Sequence, residues 1–382
     1  MQRDAAALSA ALADLDRRDL KRTRRVMPRP GLVDFCSNDY LGLARHPEVV
    51  RAFVDAAEIH GVGSGASHLV TGHGVEHEAL EAELAAFTGR DRALAFSTGY
   101  MANLGVIGAL ADQKAAIVSD KLNHASLIDG CRLSGADALR YRHGDSAHAA
   151  ELLAAASETT KLVVTDGVFS MDGDVAPLRA LADLATAQRA WLIVDDAHGL
   201  GVLGRSGRGS LEQLGLTADD VPVLIGTFGK AFGTFGAFVA GDADLIEFLL
   251  QKSRTYIYTT ALPPAVAAAT RAALRLSERE SWRREKAIAL ARRFHAGLVQ
   301  RGLADGTERP AAIQPVILGD AARALRVSAA LEERGFLVSA IRPPTVPAGS
   351  ARLRVTFSAA HEQAQVDALL GALDTALEVV GT

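Results

Sequence analysis

The chain has 382 residues, a formal net charge of −4, 49% hydrophobic residues and only two cysteines. This length predicts about two to three domains and allows a large core without disulfides or a structural metal. The charge and the cysteine count argue against binding to nucleic acid or to a membrane surface, and they exclude a secreted disulfide scaffold.

The N-terminal region, residues 1–45, is predicted to be an arm. Residues 5–20 have helical spacing, a basic run follows at 21–25, and residues 33–36 read as a short strand. A continuous apolar segment typical of a signal peptide or a membrane span is absent, so a cytoplasmic protein is expected.

A large domain is predicted over residues 46–275. After a helix at 48–60 and a glycine-rich loop at 61–74, helices and strands alternate regularly. The predicted helices cover residues 75–88, 100–111, 125–134, 146–157 and 177–188. The predicted strands cover residues 92–96, 116–119, 138–141, 161–166, 191–195, 222–226 and 235–240. Short apolar strands separated by amphipathic helices predict an α/β fold with a mainly parallel sheet that is covered on both faces.

A smaller α+β domain is predicted over residues 276–382. Residues 263–300 read as a long helical connection. The elements predicted after it are strands at 311–318, 336–340 and 351–357 and helices at 320–334 and 361–379.

Four chemically capable side chains follow predicted strands of the large domain, namely His124, Asp195, His198 and Lys230. Ligands of parallel α/β sheets bind at the carboxyl ends of the strands, which is where these residues fall. A lysine between Gly229 and Gly233 leaves room for a planar ligand to approach its amine.

The combination of a lysine and a strand-end carboxylate favours pyridoxal 5′-phosphate (PLP). A nucleophilic lysine can form a Schiff base with its aldehyde, and the pyridine nitrogen needs a carboxylate beside it. Asp195 suits the second role, and His198 can bond the phenolic oxygen. The Walker A phosphate loop is excluded, since Gly226 and Gly229 enclose two residues rather than four and Ala231 follows the lysine.

Two alternatives remain open at this point. His73, Glu76 and His77 match an H-x-x-E-H zinc peptidase pattern, although the flanking glycines disfavour a helix through His73. A PLP-type fold can also persist as a non-catalytic module, but loss of the lysine is its usual mark and Lys230 is present.

Motifs along nearly the whole chain resemble the α-oxoamine synthases, a family of fold-type I PLP-dependent enzymes. They lie at residues 37–42, 63–65, 97–100, 123–126, 168–174, 194–199 and 226–230. The resemblance implies a fold-type I transferase with a mainly parallel, seven-stranded sheet in the large domain. It also implies an acyltransferase that condenses an amino acid with an acyl thioester and releases CO2.

The resemblance implies roles for individual residues. Lys230 is expected to hold PLP as a covalent aldimine and to remove the α-proton, with His124, Asp195 and His198 as the other catalytic residues. The expected cofactor contacts are Gly99, Tyr100, His124, Ser170, Asp195, His198, Thr227 and Lys230. The expected substrate contacts are Arg22, Asn38, His124, Arg342 and Thr345. No metal is expected.

The substrate assignment comes from the run Ala340 to Gly349. This run closely resembles the family branch that joins L-alanine to a pimeloyl thioester in biotin synthesis, and the resemblance implies a homodimer. A glycine-using branch stays open as the alternative. The thioester carrier, either CoA or acyl-carrier protein, and the residue of the run 21–25 that meets the acyl substrate also stay open.

Overall fold

The computed structural model describes residues 5–27 and 30–381. Its contacts divide the chain into two compact units. The first unit contains residues up to 37 together with 289–357 and 361 onward, and the second contains residues 38–288 and 358–360. The arm and domain boundaries expected at residues 45 and 275 stay predictions.

The helices and strands are labelled in chain order. The α-helices are α1 Ala5–Arg17, α2 Pro47–His60, α3 Val75–Thr88, α4 Gly99–Leu110, α5 Ala125–Ser134, α6 Ser146–Ala155, α7 Leu178–Gln188, α8 Ser210–Gln213, α9 Ala243–Lys252, α10 Arg254–Ile257, α11 Pro264–Arg279, α12 Trp282–Gln300, α13 Ala321–Glu332 and α14 Gln363–Val380. The strands are β1 Val33–Asp34, β2 Arg92–Phe96, β3 Ala115–Asp120, β4 Asp137–Tyr141, β5 Thr160–Asp166, β6 Trp191–Asp195, β7 Val223–Thr227, β8 Ala237–Gly241, β9 Ile313–Gly319, β10 Phe336–Leu337, β11 Ser339–Ile341 and β12 Ala351–Thr356.

The second unit is built on a seven-stranded sheet in the order β2-β8-β7-β6-β5-β3-β4. The five strands from β7 to β4 are parallel to one another, whereas β8 runs antiparallel to both β7 and β2. The predicted mainly parallel, seven-stranded sheet is confirmed. Strand β2 runs in the same direction as the parallel strands, so its carboxyl end lies at the same edge of the sheet.

Two buried clusters cover the two faces of this sheet. Alternate residues of β5 and β6 divide between them, with Val164 and Ile193 in one cluster and Val163 and Leu192 in the other. Since successive side chains of a strand point to opposite faces, the predicted burial of both faces is confirmed. Burying a Val, Leu or Ile side chain stabilises the folded state by about 1.5–3 kcal/mol. The two clusters therefore stabilise the sheet.

Several element boundaries differ from the sequence prediction. The helical connection predicted over 263–300 consists of two helices, because Glu280 leaves the helical conformation at φ −111° and the chain begins a new helix at Trp282. The predicted strand 336–340 is two strands, since β10 pairs with β1 while β11 pairs with β12. Helices α9 and α10 were not predicted, and the glycine-rich loop contains a wide helical turn at His68–Gly72.

The first unit has a three-stranded antiparallel sheet in the order β11-β12-β9. Helices α13 and α14 pack against each other, and α13 also contacts this sheet. The predicted smaller α+β region is confirmed. No helix among the described residues is both long enough and apolar enough to cross a membrane.

Candidate active site

The predicted catalytic residues gather at one edge of the seven-stranded sheet. His124 follows β3, Asp195 ends β6, and Lys230 lies three residues beyond the end of β7. Strands β3, β5, β6 and β7 are parallel neighbours, so their carboxyl ends meet there. Ser170 lies in the loop that follows β5, and this loop begins at the same edge.

The Asp195 carboxylate is buried and held from two sides. The Asn103 amide donates to its Oδ2 at 2.7 Å, and the backbone N–H of Ala197 donates to its Oδ1 at 3.0 Å. A buried carboxylate held in this way is oriented to meet a cationic partner.

His124 is held along one edge of its ring. Its Nδ1 lies 2.7 Å from the Ser126 hydroxyl, and its backbone N–H donates to Asp166 Oδ2 at 2.6 Å. Burial lowers the pKa of His124; the Asp195 carboxylate opposes this shift and the Lys230 ammonium adds to it. The charges of Asp195 and Lys230 therefore both act on the His124 imidazole. At neutral pH the imidazole is therefore neutral.

His198 is buried, and its Nδ1 lies 2.7 Å from the Tyr40 hydroxyl. The same hydroxyl lies 3.1 Å from the side-chain oxygen of Asn38. Two predicted site residues, His198 and Asn38, are thus joined through Tyr40. Tyr40 belongs to the motif at residues 37–42, but the sequence assigned it no role.

The loop after β7 carries Thr227 and Lys230. Thr227 donates its hydroxyl to Gly236 O at 2.9 Å and accepts the backbone N–H of Gly229 at 3.3 Å. Lys230 is half-buried, and its backbone carbonyl accepts the N–H of Gly233 at 2.9 Å. This tight turn places the Lys230 amine on a short, braced loop.

The loop that carries Ser170 is closed by an antiparallel bridge between Val168 and Val175. His143 braces it from outside, with Nε2 3.0 Å from the Asp174 carboxylate and Nδ1 3.1 Å from Asp120. Burial opposes protonation of His143, but hydrogen bonds to both carboxylates outweigh it and raise its pKa to about 10. A charged His143 therefore ties this loop to the end of β3 at neutral pH.

Gly99 and Tyr100 open helix α4, which Thr98 caps by accepting the backbone N–H of Met101. The first N–H groups of a helix lack intrahelical acceptors and favour an anion. A Cβ added at Gly99 would meet no atom within 4 Å, so space is open at this helix start. The Tyr100 hydroxyl donates to Asp129.

Asp196 lies beneath this edge, fully buried. Its Oδ2 accepts the backbone N–H of Ser210 at 2.7 Å, and burial raises its pKa to about 7. A Cβ at Gly199 or Gly209 would collide with its carboxylate, and Gly209 also has a φ of +89° that favours glycine. The enclosure explains why the ionised form is disfavoured.

Replacing Asp196 with asparagine is expected to stabilise the protein at alkaline pH. The native state holds this proton more tightly than the unfolded chain, whose aspartate pKa is near 3.8. Stability is therefore lost as pH rises through the folded pKa, by up to about 4 kcal/mol. We expect the thermal midpoint of Asp196→Asn to match the native one near pH 4 and to exceed it increasingly toward pH 8.

The matched control is Asp183→Asn on the exposed face of α7. It should follow the native protein at every pH. A constant difference between Asp196→Asn and native protein across this pH range would contradict the assignment.

Three predicted substrate residues lie in the first unit. The Arg22 guanidinium donates to Thr345 Oγ1 at 3.2 Å, which joins two of them across 323 positions of sequence. Arg342 Nη2 donates to Lys21 O at 2.6 Å, while its buried Nε has no hydrogen-bond partner in the described part of the chain. A cavity of about 510 Å³ is lined by charged residues that include Asp16, Lys21 and Arg342 and by apolar residues that include Leu325 and Leu337.

The zinc alternative does not form. The ring nitrogens of His77 contact the backbone N–H of Gly74 at 3.0 Å and Leu262 O at 2.6 Å. Glu76 pairs with Arg271 at 2.6 Å. Both side chains are engaged in packing α3 and cannot complete a metal site with His73. The described residues instead bring His73 near Glu78 and Glu81, which is not the predicted set.

Residues 30–373 match the family described as Aminotransferase class I and II. An 8-amino-7-oxononanoate synthase from Methylococcus capsulatus is 59% identical over 379 residues, covering 97% of this chain and 98% of that protein. A serine palmitoyltransferase from S. paucimobilis, solved with a bound PLP–myriocin aldimine, has a TM-score of 0.93 at 33% identity, covering 99% of this chain and 100% of that chain. An 8-amino-7-oxononanoate synthase structure from Francisella tularensis has a TM-score of 0.79 at 31% identity, covering 91% and 98%.

These similarities confirm the resemblance inferred from the motifs and the fold-type I transferase architecture expected from it. They span the strand ends that carry His124, Asp195 and Lys230 as well as the C-terminal residues 340–349. The chain belongs to the class I and II aminotransferase family.

Proposed function

We propose that this protein is a PLP-dependent acyltransferase that joins L-alanine to a pimeloyl thioester and gives 8-amino-7-oxononanoate, CO2 and the free thiol in biotin synthesis. The observation that carries the proposal is the 59% identity to an 8-amino-7-oxononanoate synthase over nearly the full length of both chains. The grouping of Lys230, Asp195 and His124 at one sheet edge supports it independently.

The residues present suit PLP as a ligand. Asp195 offers a buried carboxylate for a protonated ring nitrogen, and Lys230 offers an amine for the aldehyde. The open helix start at Gly99 suits a phosphate, with the Thr227 hydroxyl as a further contact. We propose that Lys230 attaches the cofactor covalently and that Tyr100, His124, Ser170 and His198 complete its binding site.

When bound, PLP withdraws electrons from the Cα of the attached amino acid. Asp195 would hold the protonated ring nitrogen, and His124 would pack against the ring face and orient the reacting bonds. Lys230 Nζ removes the α-proton and later returns one to the same carbon. In the overall reaction the Cα–acyl bond forms, the acyl C–S bond breaks, and the bond from Cα to the carboxylate breaks to release CO2.

The carboxylate of the amino acid is assigned to Arg342, and Asn38 is kept as a further expected substrate contact. The guanidinium fork suits a carboxylate, and the unpaired Nε of Arg342 offers it a buried donor. The acyl substrate is assigned to Arg22 and Thr345, whose mutual contact favours Arg22 among the basic residues 21–25. The apolar part of the 510 Å³ cavity suits a seven-carbon chain.

Replacing Arg22 with alanine is expected to raise KM for the pimeloyl thioester about tenfold to a hundredfold while changing kcat little. The variant loses a charged hydrogen bond to the acyl substrate, which contributes to substrate binding and not to the chemical step. Steady-state kinetics with pimeloyl-CoA measures this effect, and Arg24→Ala from the same basic run is the matched control. Equal KM values for the two variants would contradict the assignment to Arg22.

We also propose a cytoplasmic homodimer. Both cysteines, Cys36 and Cys131, are free thiols, which suits a reducing compartment. Helix α2 exposes Val50 and Phe53 beside Phe235, and a second copy of the chain would cover this apolar surface. Light scattering during gel filtration measures the mass in solution.

The substrate experiment compares L-alanine with glycine, each with pimeloyl-CoA and with pimeloyl-acyl-carrier protein. We expect single-turnover product formation with alanine, and the two thioesters distinguish the carriers. One methyl group is worth only about 1–3 kcal/mol in a pocket, so weak turnover of glycine is compatible with the proposal. A clear preference for glycine with a short acyl-CoA would overturn it.

A further inference from the structure

Helix α4 carries a polar side chain in an otherwise apolar buried face. Of its buried residues, Ala102, Gly105, Val106 and Ile107 are apolar, whereas Asn103 has an amide that is 1% exposed. A buried amide is costly unless it is hydrogen-bonded, so its partners account for its presence.

Both protons of the Asn103 amide are used at the sheet edge. Nδ2 donates to Asp195 Oδ2 at 2.7 Å and to Ser126 Oγ at 2.8 Å. The amide oxygen is buried without a partner among the described residues, so the two donated bonds set the orientation of the amide.

The Ser126 hydroxyl also contacts His124. Its oxygen accepts from Asn103, which leaves its single proton available for His124 Nδ1, 2.7 Å away. The backbone N–H of Ser126 also donates to this Nδ1, at 3.3 Å. A nitrogen that accepts two hydrogen bonds carries no proton, which leaves the imidazole proton on Nε2.

We propose that Asn103 is a positioning residue that uses one amide to fix both the tautomer of His124 and the orientation of the Asp195 carboxylate. The first branch runs through Ser126, and the second is direct. This inference rests on the proposed function for its catalytic meaning, but the hydrogen-bond pattern belongs to the protein itself.

The first branch is tested on the cofactor-free, full-length protein. Histidine labelled with ¹⁵N reports the tautomer by NMR, with His124 assigned through a His124→Asn variant. We expect native His124 as the Nε2–H tautomer. Asn103→Leu and Ser126→Ala should both lower the Nε2–H population and raise the titration midpoint of His124 by about one pH unit. Unchanged signals in both folded variants would overturn the proposal.

The second branch is tested by PLP binding. Asn103→Leu removes the donor to Asp195 and should weaken PLP binding about tenfold. Ser126→Ala keeps that donor and should change the dissociation constant by less than about threefold. Equal weakening in both variants would overturn the two-branch arrangement. Ser126→Ala removes only a hydroxyl, so the first branch remains measurable if Asn103→Leu does not fold.

The outcome for the proposed function is separate. Native protein that binds no PLP would contradict the proposed function, while the cofactor-free NMR measurement would still decide whether Asn103 directs His124.

Discussion

Replacing Lys230 with alanine is expected to lower kcat by about 10³-fold or more. The variant lacks the amine that attaches the cofactor and moves the α-proton, and a positioned proton-transfer group contributes about 10²–10⁴-fold. The rate of CO2 release from carboxyl-labelled alanine in the presence of pimeloyl-CoA measures the loss.

The matched control is Lys252→Ala at the exposed end of α9. It should retain the native rate, because this exposed side chain is not among the residues assigned to the site. The Lys230 variant should also lose the visible absorbance of the covalently attached cofactor while keeping a native thermal midpoint. Retention of more than a tenth of the native rate by Lys230→Ala would contradict its role.

Replacing Asp195 with asparagine is expected to lower kcat by about 10²–10³-fold. A neutral amide cannot hold a cationic ring nitrogen in place, and one preorganised electrostatic partner is typically worth this much. The change also disturbs the site locally, because the donors from Asn103 and Ala197 then compete for one acceptor oxygen. Single-turnover kinetics at saturating PLP separates the chemical effect from weaker cofactor binding.

Asp166 is the control for Asp195. The two residues are paired neighbours at the ends of β5 and β6, and both are buried. Burial and the nearby Asp195 charge raise the pKa of Asp166 well above its usual range, which disfavours its ionised form. Asp166→Asn introduces a neutral group where the ionised form is already disfavoured and should lower kcat less than tenfold. An equal loss of kcat in Asp195→Asn and Asp166→Asn would show that the loss does not depend on the charge of Asp195.

The main features of the large sheet could be predicted from the sequence because periodicity is local information. Strand β6, Trp191–Asp195, and helix α5, Ala125–Ser134, have the predicted bounds. The direction of β8 could not be predicted in this way. Its apolar pattern does not distinguish a parallel strand from an antiparallel one, and only pairing with β2 and β7 sets its direction.

Residues of the candidate site could be predicted where they follow a strand. They could not be predicted where they lie inside a helix or in a distant segment of the chain. His124, Asp195 and Lys230 follow strands, so the rule for parallel sheets applies to them. Asn103 lies inside a helix, where a lone buried amide among apolar residues was the available signal. Tyr40 meets His198 across 158 positions, a distance over which spacing carries no information.

The N-terminal basic run illustrates the same limit. The resemblance implies Arg22 as the contact of the acyl substrate, but it leaves the other basic residues of the run 21–25 open because they lie in the same short segment. The contact between Arg22 and Thr345 spans 323 positions and separates Arg22 from the others. Charge alone predicted the kind of ligand, and tertiary structure was needed to favour one residue.

The central claim is that the Lys230 amine carries the cofactor. It is tested by adding PLP, reducing with borohydride, digesting with trypsin and sequencing the peptides by mass spectrometry. Modified Lys230 resists cleavage, so we expect the pyridoxyl phosphate mass on one peptide from Gly209 to Lys252, with the added mass at Lys230. A peptide that runs from Gly209 to Lys230, with the added mass on another lysine or on none, would contradict the account.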